Sequence, residues 1–157
     1  MKLIMVDDLN DVKSVPVYFS SKHKRWAYLS DPLTDMPILI CIDSIKNANA
    51  SFMDMVNEVF EQDTVDRIQI AFDRDNGNFF ERQKIGELIL TCGVIAVRVD
   101  RDASSPIIAH ECTHVSQFIM MKRMDTTDFK STKTQELQAD IVERYMSIIL
   151  QIKDHLT

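Results

Sequence analysis

The hydrophobic pattern changes period along this chain. In the first third, the short apolar runs KLIMV, VPVYF, RWAYLS and PILICID are separated by turn residues, and each predicts a strand. From Ala50 to Gln62 the spacing becomes helical. Phe52, Met55, Val56, Val59 and Phe60 fall on one side and Asp54, Glu58 and Glu61 on the other, which predicts a first substantial helix. RIQIAFD, from Arg67 to Asp73, alternates again and predicts a strand leading into the Asn76-Gly77 hairpin signal. The run Asp73 to Gly77 has the outline of a calcium loop. However, its glycine falls one position early and Lys84 stands where the bidentate glutamate belongs, so it reads as a turn. IGELILTC and VIAVRVD, on either side of Gly93, are β-rich. Two long helical patterns close the chain, about Ser105 to Arg123 and about Thr134 to Lys153, and the loop between them is rich in the Ser and Thr that cap helices.

The expected fold class is therefore α+β: a mixed, twisted sheet with an early helix, followed by a helical hairpin. Neither an internal repeat nor an interdomain linker is visible, so residues 1–157 read as a single domain. Hydrophobic residues at 45% and charged residues at 27% fit a globular chain able to bury a core. The net charge of -6 and the pI near 5.1 argue against nucleic acid as a partner, because phosphate recognition needs a clustered basic face. No apolar run is long enough to span a membrane, and the first apolar stretch is closed early by Asp7 and Asp8, so the expected setting is cytoplasmic. Cys41, Cys92 and Cys112 form no C-x-x-C pair and each sits in an apolar run, which marks them as packing residues.

Chemistry enters at IIAHECTHVSQF, from Ile107 to Phe118. With His110 as the zero of a helical wheel, Ile108, Cys112, Val115 and Ile119 gather between about 140° and 200°, while His114, Gln117 and Met121 lie within about 40° of His110. Residues four apart have Cβ atoms about 5–6 Å apart, so His110 and His114 can point their imidazoles at one ion. Glu111, about 100° round, is placed to act as a base beside it. Cys112, about 200° from His114, points away and drops out of the chemistry. The face that carries Met121, with Phe118 near it, predicts that a second element covers the histidines.

The last helix is the candidate cover. With Glu136 as zero, Asp140 and Glu143 lie within about 40° of it, flanked by Leu137, Ile141, Tyr145, Ile148 and Ile152 on one side and by Val142, Met146 and Ile149 on the other. A catalytic zinc needs a third protein ligand and an open water position. Glu136 is the best third ligand, and Asp140, one turn on, suits acceptance of a ligating histidine's free N–H. A shifted helix register exchanges their roles.

HECTH followed by the distant ELQAD resembles the gluzincin branch of zinc metallopeptidases, whose pattern is His-Glu-x-x-His and then Glu-x-x-x-Asp. The metzincin branch is excluded, because Gln117 and Met120 stand where its glycine and third histidine belong. The resemblance spans Val94 to Glu143 and is closest in style to compact metallopeptidases of bacteria and their phages. It implies a minimal zincin-like fold with an active-site helix and a C-terminal glutamate helix. His110, His114 and Glu136 would be the Zn2+ ligands, Glu111 the general base and Asp140 the outer partner. It further implies that VIAVRVD is the sheet edge that pairs with an extended peptide substrate. The function expected is peptide-bond hydrolysis: zinc brings the pKa of its water toward about 7 while Glu111 takes the proton and passes it to the leaving amine. The family's downstream oxyanion residue has no counterpart. Tyr145 lies about 180° from Glu136 and His155 sits near the end of the sequence, leaving Tyr28, His23 or a backbone group. That gap supports an alternative, a catalytically silent zincin-fold protein that binds or regulates.

Overall fold

The computed structural model describes residues 2–6, 15–31, 35–74, 86–91, 94–125 and 129–156. Its elements are β1 (Lys2–Val6), β2 (Val15–Phe19), β3 (Trp26–Ser30), β4 (Pro37–Ile42), α1 (Ile45–Val59), α2 (Gln62–Arg74), β5 (Gly86–Thr91), β6 (Val94–Val99), α3 (Ser105–Arg123) and α4 (Thr132–Leu156). The strands form one mixed sheet in the order β1-β2-β3-β4-β6-β5. β1 to β4 pair antiparallel in sequence, β4 pairs parallel with β6, and β5 pairs antiparallel with β6 on the far side. The α+β architecture expected from the hydrophobic pattern is thus present.

Helices cover both faces of this sheet. On one face Trp26, Leu39, Cys41 and Ala96 pack against Phe52, Met55 and Val56 of α1 and Val65, Ile68 and Phe72 of α2. On the other, Val17, Leu29, Ile38, Ile40, Ile95 and Val97 pack against α3 and α4. A strand buried on both sides has no polar face to alternate with, and this is why PILICI reads as an unbroken apolar run.

The Arg67 to Asp73 expectation is corrected here: the segment belongs to α2. Val65, Ile68, Ala71 and Phe72 are its buried residues, at three- and four-residue spacing, whereas Ile70 is 70% exposed. A strand would have put Ile68 and Ile70 on the same face. Two helices, α1 and α2, therefore stand where the spacing predicts one early helix. The Asn76-Gly77 turn expectation lies outside the described residues.

The two closing helices run as expected and pack side by side. Pro106 lies in the first turn of α3, where the missing N–H costs nothing. Asp125, with φ of 49°, takes the left-handed conformation just past the α3 C-cap at Met124. Ser131 caps α4, its Oγ accepting the Thr134 N–H at 3.2 Å. Lys153 Nζ donates to the Ala103 carbonyl at 3.1 Å, so the end of α4 lies beside the start of α3. No helix among the described residues is long and apolar enough to cross a membrane.

Candidate metal site on helix α3

Helix α3 is aimed by its apolar stripe. Ile108, Cys112, Val115 and Ile119 are all at most 1% exposed, as the wheel requires. That fixes the opposite face outward: His110 is exposed and His114 half-buried. The two Nε2 atoms lie 3.2 Å apart, with ring centroids 4.8 Å apart and planes at 82°.

The separation can be tested against a shared ion. Two nitrogens held about 2.05 Å from one zinc at the tetrahedral angle are about 3.3 Å apart, and a spacing of 3.2 Å corresponds to an N–metal–N angle of about 103°. The pair fits. The same distance also suits one ring donating a proton to the other, which requires at least one neutral imidazole, the form that binds metal.

Glu111 is only 4% exposed. It lies on the flank of α3 between the core stripe and the histidine face, where its charge must be matched, since an isolated carboxylate is costly to bury. Burial first, and then the neighbouring Glu111 charge, push the Cys112 thiol up to about 12. Cys112 is therefore a protonated core residue and not a nucleophile.

Among the described residues the predicted cover over the histidines is not formed. His110 is exposed and Met121 is 49% exposed, whereas Ser116 and Met120, round the other flank, are fully buried. Helix α4 spends its apolar arc on the sheet, burying Ile141, Tyr145, Ile148, Ile149 and Ile152, and so lies beside α3 instead of over its histidines. Glu136 and Asp140 are exposed on its first turns. Among the described residues no group of three or more His, Cys, Asp or Glu side chains converges as a metal cage. The structure brings His110 and His114 together and leaves Glu136 and Asp140 apart from them.

No family model, curated protein or solved structure matches the chain.

The geometry of the site removes most candidates for an oxyanion donor. Tyr145 is 1% exposed and its hydroxyl donates to Asp31 Oδ2 at 2.7 Å. Tyr28 packs with the α1 and α2 cluster, on the face of the sheet away from α3. The His155 ring stacks edge-on against Phe19 at 5.7 Å. The strand expectation is also corrected. β6 lies inside the sheet between β4 and β5, so the edge beside α3 is β5.

The sequence reading missed a buried charge cluster on α4. Arg144 donates from Nε and Nη2 to the two oxygens of Asp31, each at 2.9 Å, beside the Tyr145 bond to the same carboxylate. Asp31 is fully buried and Arg144 is 8% exposed. A signal was available: on the wheel Arg144 falls about 80° from Glu136, against the apolar arc, where an arginine must find an acid.

A groove of about 870 Å³ runs along the outward side of α4, with Thr113 of α3 at its edge.

Proposed function

We propose that this protein is a zinc-dependent metallopeptidase of the gluzincin type, built on a minimal zincin-like domain. The observation that carries the reading is the 3.2 Å approach of His110 Nε2 to His114 Nε2 on one helix face, a spacing that two ligands of one zinc share. His110 and His114 would hold the ion, with Glu136 as third ligand and Asp140 orienting a ligating ring. Exposure of Glu136 leaves its side chain room to reorient, and metal binding commonly assembles ligands that the free protein keeps apart. The zinc would supply a Lewis acid for the scissile carbonyl and an acidified water. Glu111 would take the proton of the attacking water and return it to the leaving amine. An extended peptide would add to the sheet at β5, the edge against which α3 packs. The substrate is a peptide or protein segment, and the setting is cytoplasmic.

Metal analysis of the purified protein is the test. Wild type should carry stoichiometric zinc, while His110→Ala and Glu136→Ala should lose it; a metal-free wild type prepared in zinc sinks the reading. The commitment of Tyr145 to Asp31 favours one second reading, a zinc-holding fold that binds without cleaving. Glu111→Gln separates the two in a peptide-library assay. A peptidase loses turnover while retaining zinc, whereas a silent protein shows no turnover to lose.

A further inference from the structure

The groove on α4 is apolar along its floor. Ala139, Val142, Met146 and Leu150 line it, and at 100° per residue they fall within about 80° of one another. Their spacing of three, four and four residues is the seam one helix presents to another. Leu150 is 37% exposed, a large apolar side chain left at the surface. The lining runs from Gln135 to Asp154, a rise of about 28 Å, or the length of about 19 helical residues.

Charge and backbone chemistry select the occupant. Glu143 and Asp154 are the charged residues that line the groove, and both are acidic. A second copy of this chain would bring the same carboxylates to the contact, within a protein of net charge -6, so self-association works against its own electrostatics. An extended strand fits poorly as well, because the floor is a helix whose backbone groups are already paired, and the strand's own N–H and C=O groups would be covered without partners. A helix satisfies its backbone internally and needs only apolar knobs with flanking positive charge.

We propose that this groove docks a basic amphipathic helix of another protein, with its apolar side chains seated along Ala139, Val142, Met146 and Leu150 and its lysines or arginines against Glu143 and Asp154. The docking does not rest on the zinc reading, since none of these residues is assigned to the metal site.

The probe is a fluorescein-labelled 18-residue peptide of leucines at heptad spacing with lysines between them, titrated with the full chain at physiological ionic strength. Three variants accompany wild type: Leu150→Gln, the pair Glu143→Lys with Asp154→Lys, and a control pair, Glu61→Lys with Asp63→Lys, which makes the same charge change at exposed sites just before α2 and in its first turn, on the other face. Wild type and the control pair should bind alike, while each groove variant should bind at least tenfold more weakly, with thermal melts showing all four folded. Failure of wild type to bind, or equal loss in the control pair, overturns the proposal. So does sedimentation showing a wild-type dimer that Leu150→Gln dissociates, because the groove would then belong to a second copy.

Discussion

Replacing Asp31 by asparagine should be among the most damaging single changes at a polar position in this protein. The carboxylate is fully buried and takes two hydrogen bonds from Arg144, at 2.9 Å each, and one from Tyr145 at 2.7 Å. Burial draws the Arg144 pKa below its ordinary value, an effect that neighbouring Tyr145 opposes, yet a guanidinium stays charged in a protein, so Asp31 is the group that compensates it. Asparagine keeps the shape but presents one N–H₂ to a fork of donors and leaves a buried cation uncompensated. Breaking one partner of such a pair costs about 3–5 kcal/mol. At about 2–4 °C per kcal/mol for a chain of this size, Asp31→Asn should melt about 6–20 °C below wild type. Urea unfolding gives the same difference as a shift in midpoint at unchanged slope. The cost should arise from the orphaned charge and not from the loss of attraction. Replacing the cluster with Asp31→Leu, Arg144→Met and Tyr145→Phe together should recover most of the loss, because apolar residues of similar volume leave nothing unpaired. An Asp31→Asn protein that melts within about 2 °C of wild type would refute this account, as would a triple variant less stable than the single one.

The α2 assignment predicts that Ile70→Lys, at a 70% exposed position, changes stability by less than about 0.5 kcal/mol, whereas Ile68→Lys prevents folding; circular dichroism melts of the two decide it. Burial, with the Asp43 charge behind it, pushes the Cys41 thiol up, and burial then Glu111 push Cys112 to about 12. The folded state thus holds thiol protons that the unfolded chain releases above about pH 8.5, so their contribution is fully present below that pH and is lost as pH rises toward the native values. Between about pH 9.5 and 11.5, urea-derived stability should fall by about 1.4 kcal/mol per pH unit for each thiol, and Cys112→Ala should lower that slope by one such increment. Zinc at a hundredfold excess over its Kd should stabilise wild type by about 2.7 kcal/mol. The effect should be absent in His110→Ala, which removes one of the two ring nitrogens that would hold the ion, and thermal melts with and without zinc check it.

Much of the fold was legible because burial writes itself into spacing. Ile108, Cys112, Val115 and Ile119 named the buried stripe of α3 from the wheel alone, and the same stripe aimed His110 and His114 outward together. RIQIAFD was misread because a seven-residue window holds too little of either period to separate them: the deciding positions were Val65 before it and Phe72 within it. Position across the sheet was not legible. VIAVRVD has the composition of a strand wherever it sits, and its place between β4 and β5 depends on a parallel pairing with a strand more than fifty residues earlier, Ile38 opposite Ile95. The Asp31 cluster was hidden for the same reason, since its partners are 113 and 114 residues apart.

That cluster bears on how a third ligand would have to reach the histidine pair. Arg144 and Tyr145 pin the azimuth of α4 through Asp31, and Ile141 to Ile152 hold the rest of the helix against the sheet. The proposed ligand Glu136 lies two turns before the pin, on a stretch from Thr132 to Asp140 that contributes no buried residue. Movement that would carry Glu136 toward His110 and His114 therefore has to be taken up in those first turns, where it disturbs the Ser131 cap, the Gln135 bonds to the Phe129 and Lys130 carbonyls and the near end of the groove, but no buried residue. A rotation of the whole helix would instead break the buried carboxylate bonds, at about 3–5 kcal/mol. The division of α4 into a pinned half and an exposed half is what would let a third ligand reach the pair without disturbing the core.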